Sequence, residues 1–194
     1  MRSGLLHGHG GAGRELERCE LLLALGAEQR RAGAVVDARA TFAEAGRLAR
    51  SPAEPRLLAA AALGYAGALG GPGLSASTDQ HIVALLEEAL EAIGAQRSTE
   101  RAQLLARLAL ELYYTPALQR RFALSKEAVA TGDTRSQLIA MYSRHWSSLG
   151  PDRVGERRRA ADRLLDRCGF DGGECTAGTA HRARAHRRRL ACRL

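Results

Sequence analysis

From Arg14 to Cys168 the apolar residues return every three or four positions, and Gly, Pro and Ser cut the run at intervals. That spacing puts side chains on one face of an α-helix and is incompatible with the alternation of a half-buried strand. Leu16, Cys19, Leu22, Leu23 and Gly26 form the first stripe. Gly33 interrupts, and Ala38, Phe42, Ala45 and Ala49 form the second. Ser51-Pro52 breaks the chain again, since a residue before proline avoids helical backbone. A third helix is predicted from about Pro55 to Leu69, and Gly70–Ser77 reads as a loop. Thr78 or Asp79 suits the cap of a fourth helix carrying Ile82, Leu85, Leu86, Ala89, Leu90 and Ile93. Gly94 ends it.

Ser98 opens a fifth helix with Leu105, Leu108, Ala109 and Leu112. Thr115-Pro116 makes a corner, and Pro116 suits a first helical turn. A sixth helix runs to about Thr131. The turn Gly132-Asp133-Thr134 leads to a seventh with Leu138, Met141, Tyr142 and His145. Gly150-Pro151-Asp152 leads to an eighth with Val154, Ala161, Leu164 and Leu165, ending near Cys168. Composition agrees with eight helices and no strand. The 194 residues include 37 Ala and 29 Leu, and aromatics are only 4%. A β-sandwich or barrel needs the opposite mix, and so apolar a middle is not disordered. Residues 1–13 read as a disordered lead-in, 14–168 as a helical repeat domain, and 169–194 as a disordered basic tail.

A chain of helix pairs calls for a search for a period. Leu25-Gly26 anchors the first pair, and Ala38-x3-Phe42-x2-Ala45 begins twelve residues after Gly26. Small residues let two helices approach, and Phe42 is expected to fill the space toward the next pair. The spacing resembles the tetratricopeptide repeat, with a period of about 34 residues. Similar anchors recur at Leu63-Gly64, Leu108-Ala109 and Met141-Tyr142. The fold expected is all-α, antiparallel helix hairpins stacked as a tetratricopeptide-like right-handed superhelix. An irregular helical bundle is the alternative.

The segments Arg18–Gly26, Gln29–Gly33, Leu85–Gly94, Arg101–Ala109 and Ala123–Ala130 together resemble the repeat arm of large ATP-binding transcriptional regulators of the LuxR type and related AAA-like ATPases of actinobacteria. The resemblance covers Arg14 to Cys168. It implies a non-catalytic arm that binds a protein or a regulatory effector. In that family an ATPase module precedes the arm and a DNA-binding helix-turn-helix follows it. Neither pattern is present here. Gly8–Arg14 is glycine-rich but has no Gly-Lys-Ser/Thr to hold phosphate and Mg²⁺. After Cys168 no amphipathic pair fits a helix-turn-helix.

The formal net charge is +8, with six Arg and two acids in the last 26 residues, so half the excess lies in the tail. The body is nearly balanced, which argues against a basic nucleic-acid face there. The Arg-rich run Ala180–Arg189 suits salt-sensitive phosphate contacts but has no aromatic for base stacking. Arg, Ala, Gly, His and Cys enrichment with loss of helical period is also what an out-of-frame GC-rich reading produces. Cys168, Cys175, His181 and His186 lack the tight Cys-x2–4-Cys knuckle of a structural zinc site, so no metal is expected. Met1-Arg2 leads into no apolar run, so no secretory signal is read. The uncharged stretch Leu57–Thr78 is too short in its apolar part to span a bilayer. The reading is cytoplasmic.

No nucleophile motif appears. Glu87, Glu88 and Glu91 read as a solvated face, and His145 as a packed helix-face histidine. No cofactor is expected, and the chain is not read as an enzyme. Counting from the four anchors places Arg30, Tyr65, Tyr113 and Trp146 on the face that lines the groove of a tetratricopeptide stack. Aromatic and Arg side chains are the usual anchors of an interface. The function expected is therefore an interaction or sensor module that holds a protein or peptide partner in that groove. The alternative for those aromatics is gap-filling between hairpins. The functional alternatives are nucleic-acid binding through the tail and an ATPase remnant.

Overall fold

A computed structural model describes residues 9–50, 54–67, 78–131, 134–149 and 151–168. The described residues form eight α-helices and no strand. They are α1 (His9–Arg31), α2 (Val35–Ala49), α3 (Pro55–Ala66), α4 (Gln80–Ile93), α5 (Thr99–Glu111), α6 (Leu118–Thr131), α7 (Thr134–Ser147) and α8 (Val154–Cys168). Single 3₁₀ turns lie at Leu112–Tyr114 and Pro151–Arg153. The fold is all-α. No described helix is long and apolar enough to cross a membrane.

The boundaries differ from the sequence reading at three places. α1 begins at His9, inside the expected lead-in, because extending a formed helix fixes one residue per hydrogen bond and tolerates weak formers such as Gly10, Gly11 and Gly13. α3 ends at Ala66, where Gly67 takes a positive φ of 91°. α6 begins at Leu118, whose N–H donates to the Pro116 carbonyl (2.8 Å), so Pro116 precedes the helix instead of opening it. The basic tail lies outside the described residues.

Contacts divide the chain into two compact units, Met1–Ala68 with Gln80–Gln96, and Leu69–Asp79 with Arg97–Leu194. In the first unit α1 packs on α2, α2 on α3 and α3 on α4, and α1 also touches α3. The α1–α2 turn is closed by Gly33. Its φ of 83° is left-handed, its N–H donates to Arg30, and the Ala34 N–H donates to Gln29. This is the paired hydrogen bonding of a Schellman cap, which requires a residue tolerating that backbone. The core is built of small residues, among them Ala38, Ala45, Ala59, Ala61 and Ala62, around Phe42. A methyl added at Gly64 would collide with the Phe42 ring, and one at Gly26 would stand 3.0 Å from it. The ring therefore fills a slot between glycines of α1 and α3.

In the second unit α5 packs on α6 and α7, α6 on α7, and α7 on α8. Ser98 caps α5, its Oγ accepting from the Arg101 N–H at 3.1 Å. Thr78 donates to the Glu111 carbonyl at 3.4 Å. Every residue from Leu104 to Leu110 is buried, so α5 is enclosed on all its faces. Arg107 survives there by pairing with Glu111 one turn on. An unpaired buried charge is among the costliest defects a core can hold.

Candidate functional site

Aromatic residues are scarce in this chain, and the second unit gathers most of them. Three of the four tyrosines and the one tryptophan of the sequence meet there. Tyr113 and Tyr114 lie in the 3₁₀ turn after α5, and Tyr142 and Trp146 lie one turn apart on α7. The rings form an edge-to-face chain. Centroids are 5.0 Å apart for Tyr114 and Tyr113, 6.0 Å for Tyr113 and Trp146, and 6.1 Å for Trp146 and Tyr142. Edge-to-face contact sets the positive rim of one ring on the negative face of the next. The chain runs from the core to solvent: Tyr142 is 3% exposed and Tyr114 is 44% exposed. Trp146 is half-buried on a core cluster of Leu110 and Tyr142, with Leu138 and Met141.

Arg121 of α6 holds the turn in place. Its Nη1 donates to the Tyr113 carbonyl (2.6 Å), and its guanidinium lies over the Tyr113 ring at 5.0 Å. Burial pushes the Arg121 guanidinium down from its ordinary pKa. A second cationic group surrounds Phe122. Arg144 and Arg153 lie over its ring at 4.6 and 3.8 Å, and both reach Glu156, at 3.5 and 3.7 Å. Burial likewise lowers Arg144. Arginine over an aromatic face adds electrostatic attraction to packing. His145 is buried and sets its edge against Trp146 at 6.4 Å.

Several polar atoms of this cluster are buried without a hydrogen-bond partner among the described residues, Tyr142 Oη, Trp146 Nε1 and Arg121 Nε among them. A buried donor left unpaired costs about 1–3 kcal/mol.

The sequence-derived line Arg30, Tyr65, Tyr113 and Trp146 divides between the units. Tyr113 and Trp146 meet in the cluster just described. Arg30 and Tyr65 belong to the first unit. Arg30 is half-buried, donates from Nη2 to the Gly64 carbonyl, and lies over the Phe42 ring at 5.4 Å. A side chain at Gly67 would collide with its guanidinium. Tyr65 meets His81 edge to face at 5.2 Å and lies beneath Arg39 at 5.4 Å. Both are thus engaged within their own unit.

Sequence reasoning missed Tyr114, Tyr142 and Arg121. Tyr142 occupied an anchor position where a small residue was sought. Arg121 carried no signal beyond its charge. The doublet Tyr113-Tyr114 before Thr115-Pro116 was the one available pointer to the turn. A surface cavity in the first unit, of about 440 Å³, was also unforeseen. Arg50 and Glu88, paired at 2.7 Å, line it together with Glu91, Pro55 and Leu58. Glu87 and Glu88 are half-buried, and Glu91 is exposed. Among the described residues no group of three or more His, Cys, Asp or Glu is placed to hold a metal. Cys175, His181 and His186 lie outside the described residues. In comparisons with known proteins the chain matches no family model, no curated protein and no solved structure.

Proposed function

We propose that this chain is a non-catalytic interaction module made of tetratricopeptide-like hairpins, and that the Tyr113–Tyr114–Trp146 face of the second unit holds its partner. The single observation that carries the reading is the ring chain that climbs from the buried Tyr142 to the exposed Tyr114, with Arg121 fixing its turn. Rigid aromatic anchors suit an extended peptide that offers an apolar residue.

The repeat reading draws support from packing and from register. Each unit sets its first helix against the second and third, the neighbour pattern of stacked hairpins. Ala38, Phe42 and Ala45 follow Gly26 by twelve, sixteen and nineteen residues, and all three are buried. The same offsets from Ala109 give Arg121, Ser125 and Ala128, also all buried. From Gly64 they give the exposed Gln80 and the buried Val83, and from Tyr142 the exposed Val154 and Arg158 and the buried Ala161, so there only the last position of the pattern is kept. The resemblance to the arm of ATP-binding regulators fits the same picture.

Trp146 is the one tryptophan, so its emission reports on the site directly. Peptides selected from a random display library against the whole chain should shift that emission on binding. Tyr113→Ala should weaken the selected peptides about tenfold or more. Peptides that bind without moving the emission, or that ignore Tyr113→Ala, would remove this face from the reading. Mg-ATP should leave the melting temperature unchanged, since any ligand of the native state alone raises it. A nucleotide-dependent rise would favour an ATPase remnant.

A further inference from the structure

α1 presents a stripe that the described residues of the first unit leave exposed. Arg14, Arg18, Leu21, Leu25, Glu28 and Ala32 are all exposed and follow one another at alternating steps of four and three residues. That is the seam spacing of a helix that pairs with another helix. Leu21 is 65% exposed and Leu25 49% exposed, a costly placement for two adjacent leucines on one face.

The stripe is symmetric about position 23. Leu21 mirrors Leu25, Arg18 mirrors Glu28, and Arg14 mirrors Ala32. Beside it, the exposed Glu17 and Arg31 hold flanking positions that oppose each other when the helix meets an antiparallel copy of itself. A two-fold interface demands this self-complementarity, because each residue that meets a second must be met by it in return. In a parallel pair Arg18 would face Arg18 and Glu28 would face Glu28. The charge pattern rejects that arrangement and accepts the antiparallel one.

We infer that α1 is a homodimerisation helix, docking antiparallel on α1 of a second copy, with the leucines at the centre and Arg18–Glu28 pairs on either side. Residues 14–31 span about 25 Å of helix, at ~1.5 Å per residue, and Ala32 follows in the turn. That places the contact at the small end of specific interfaces, so the association is concentration-dependent. Within one chain Arg18 already reaches Glu44 (3.2 Å) and Glu28 is held by Arg31. All four side chains keep enough exposure to take a partner across the dimer axis, Glu44 being the most covered. The inference does not rest on the aromatic face of the other unit.

Sedimentation equilibrium of the full chain, over a micromolar to sub-millimolar series, tests it. The expected result is a monomer–dimer equilibrium. Leu21→Ala with Leu25→Ala should raise its dissociation constant about a hundredfold, with helicity by circular dichroism unchanged because both sites are exposed. Arg18→Glu alone and Glu28→Arg alone should each weaken it about tenfold, by setting like charges face to face. The double charge swap should restore it to within about threefold of the parent. A chain that stays monomeric throughout overturns the inference, as does a dimer indifferent to the leucine changes. A double swap no better than either single change overturns the antiparallel register.

Discussion

Phe42 in the first unit and Tyr142 in the second are both buried rings, carried on different helices of their units. Phe42 projects from α2, the second helix of its unit, into a slot between Gly26 of α1 and Gly64 of α3. In the second unit the matching place on α6 is Ser125, fully buried, and the large ring comes from α7 as Tyr142. At that register the first unit has a ring and the second a serine, while the neighbour pattern stays the same. The difference has a chemical result. A phenylalanine between glycines is enclosed and carries no polar atom. A tyrosine on α7 brings a hydroxyl indoors and stands one turn from Trp146, so the packing residue becomes the root of an aromatic chain that reaches solvent at Tyr114. One unit therefore keeps this buried ring for cohesion, and the other continues its buried ring into a surface.

Removing the ring of the first unit is the strongest way to break that comparison. Phe42→Ala should cost about 3–5 kcal/mol, since neither glycine has atoms with which to fill the hole. Urea denaturation gives the total, and amide exchange in α1–α3 locates it. Filling the slot from the other side should cost less. Gly64→Ala should cost about 1–3 kcal/mol through overpacking, and an unmoved denaturation midpoint would dissolve the claim that Phe42 is enclosed. Ala38→Leu, at a site of α2 with no exposed surface, should also cost about 1–3 kcal/mol, and an unmoved midpoint there would remove the close helix contact at Ala38.

The second unit yields smaller effects. Arg121→Met keeps the stem but leaves the Tyr113 carbonyl without its donor, a loss of about 1–2 kcal/mol. Tyr142→Phe removes a buried hydroxyl with no described partner, and stability should stay within about 0.5 kcal/mol of the parent or rise. A clear loss on Tyr142→Phe would show that the hydroxyl is bonded, and the contrast with Phe42 would rest on size alone.

The helices were legible because each depends on local spacing. The stripe Ala38, Phe42, Ala45 and Ala49 reads off the sequence and is buried throughout. The enclosure of α5 was not legible as a stripe. Leu104, Ala106, Arg107 and Leu110 are buried beside Leu105, Leu108 and Ala109 because α6 and α7 cover different faces of one helix, and periodicity reports only one face. The aromatic site was half legible. Tyr113 and Trp146 follow from counting anchors, but their meeting depends on how the end of α5 lies beside α7. That is a tertiary fact with no local signature. Arg30 differs in kind: its bond to the Gly64 carbonyl joins residues 34 apart and has no local signature.

The order in which helices touch has a consequence for how quickly the native arrangement is reached. Within each unit the main contacts join a helix to the next one or the one after. Little chain must be closed before a contact forms, so the entropy lost in closure is small. Topologies of such low contact order fold in ~microseconds to milliseconds, orders of magnitude faster than sheets of equal stability. A destabilised variant of either unit therefore reopens and recloses rapidly, and its exposure to proteases follows the equilibrium population of the open form instead of the unfolding rate.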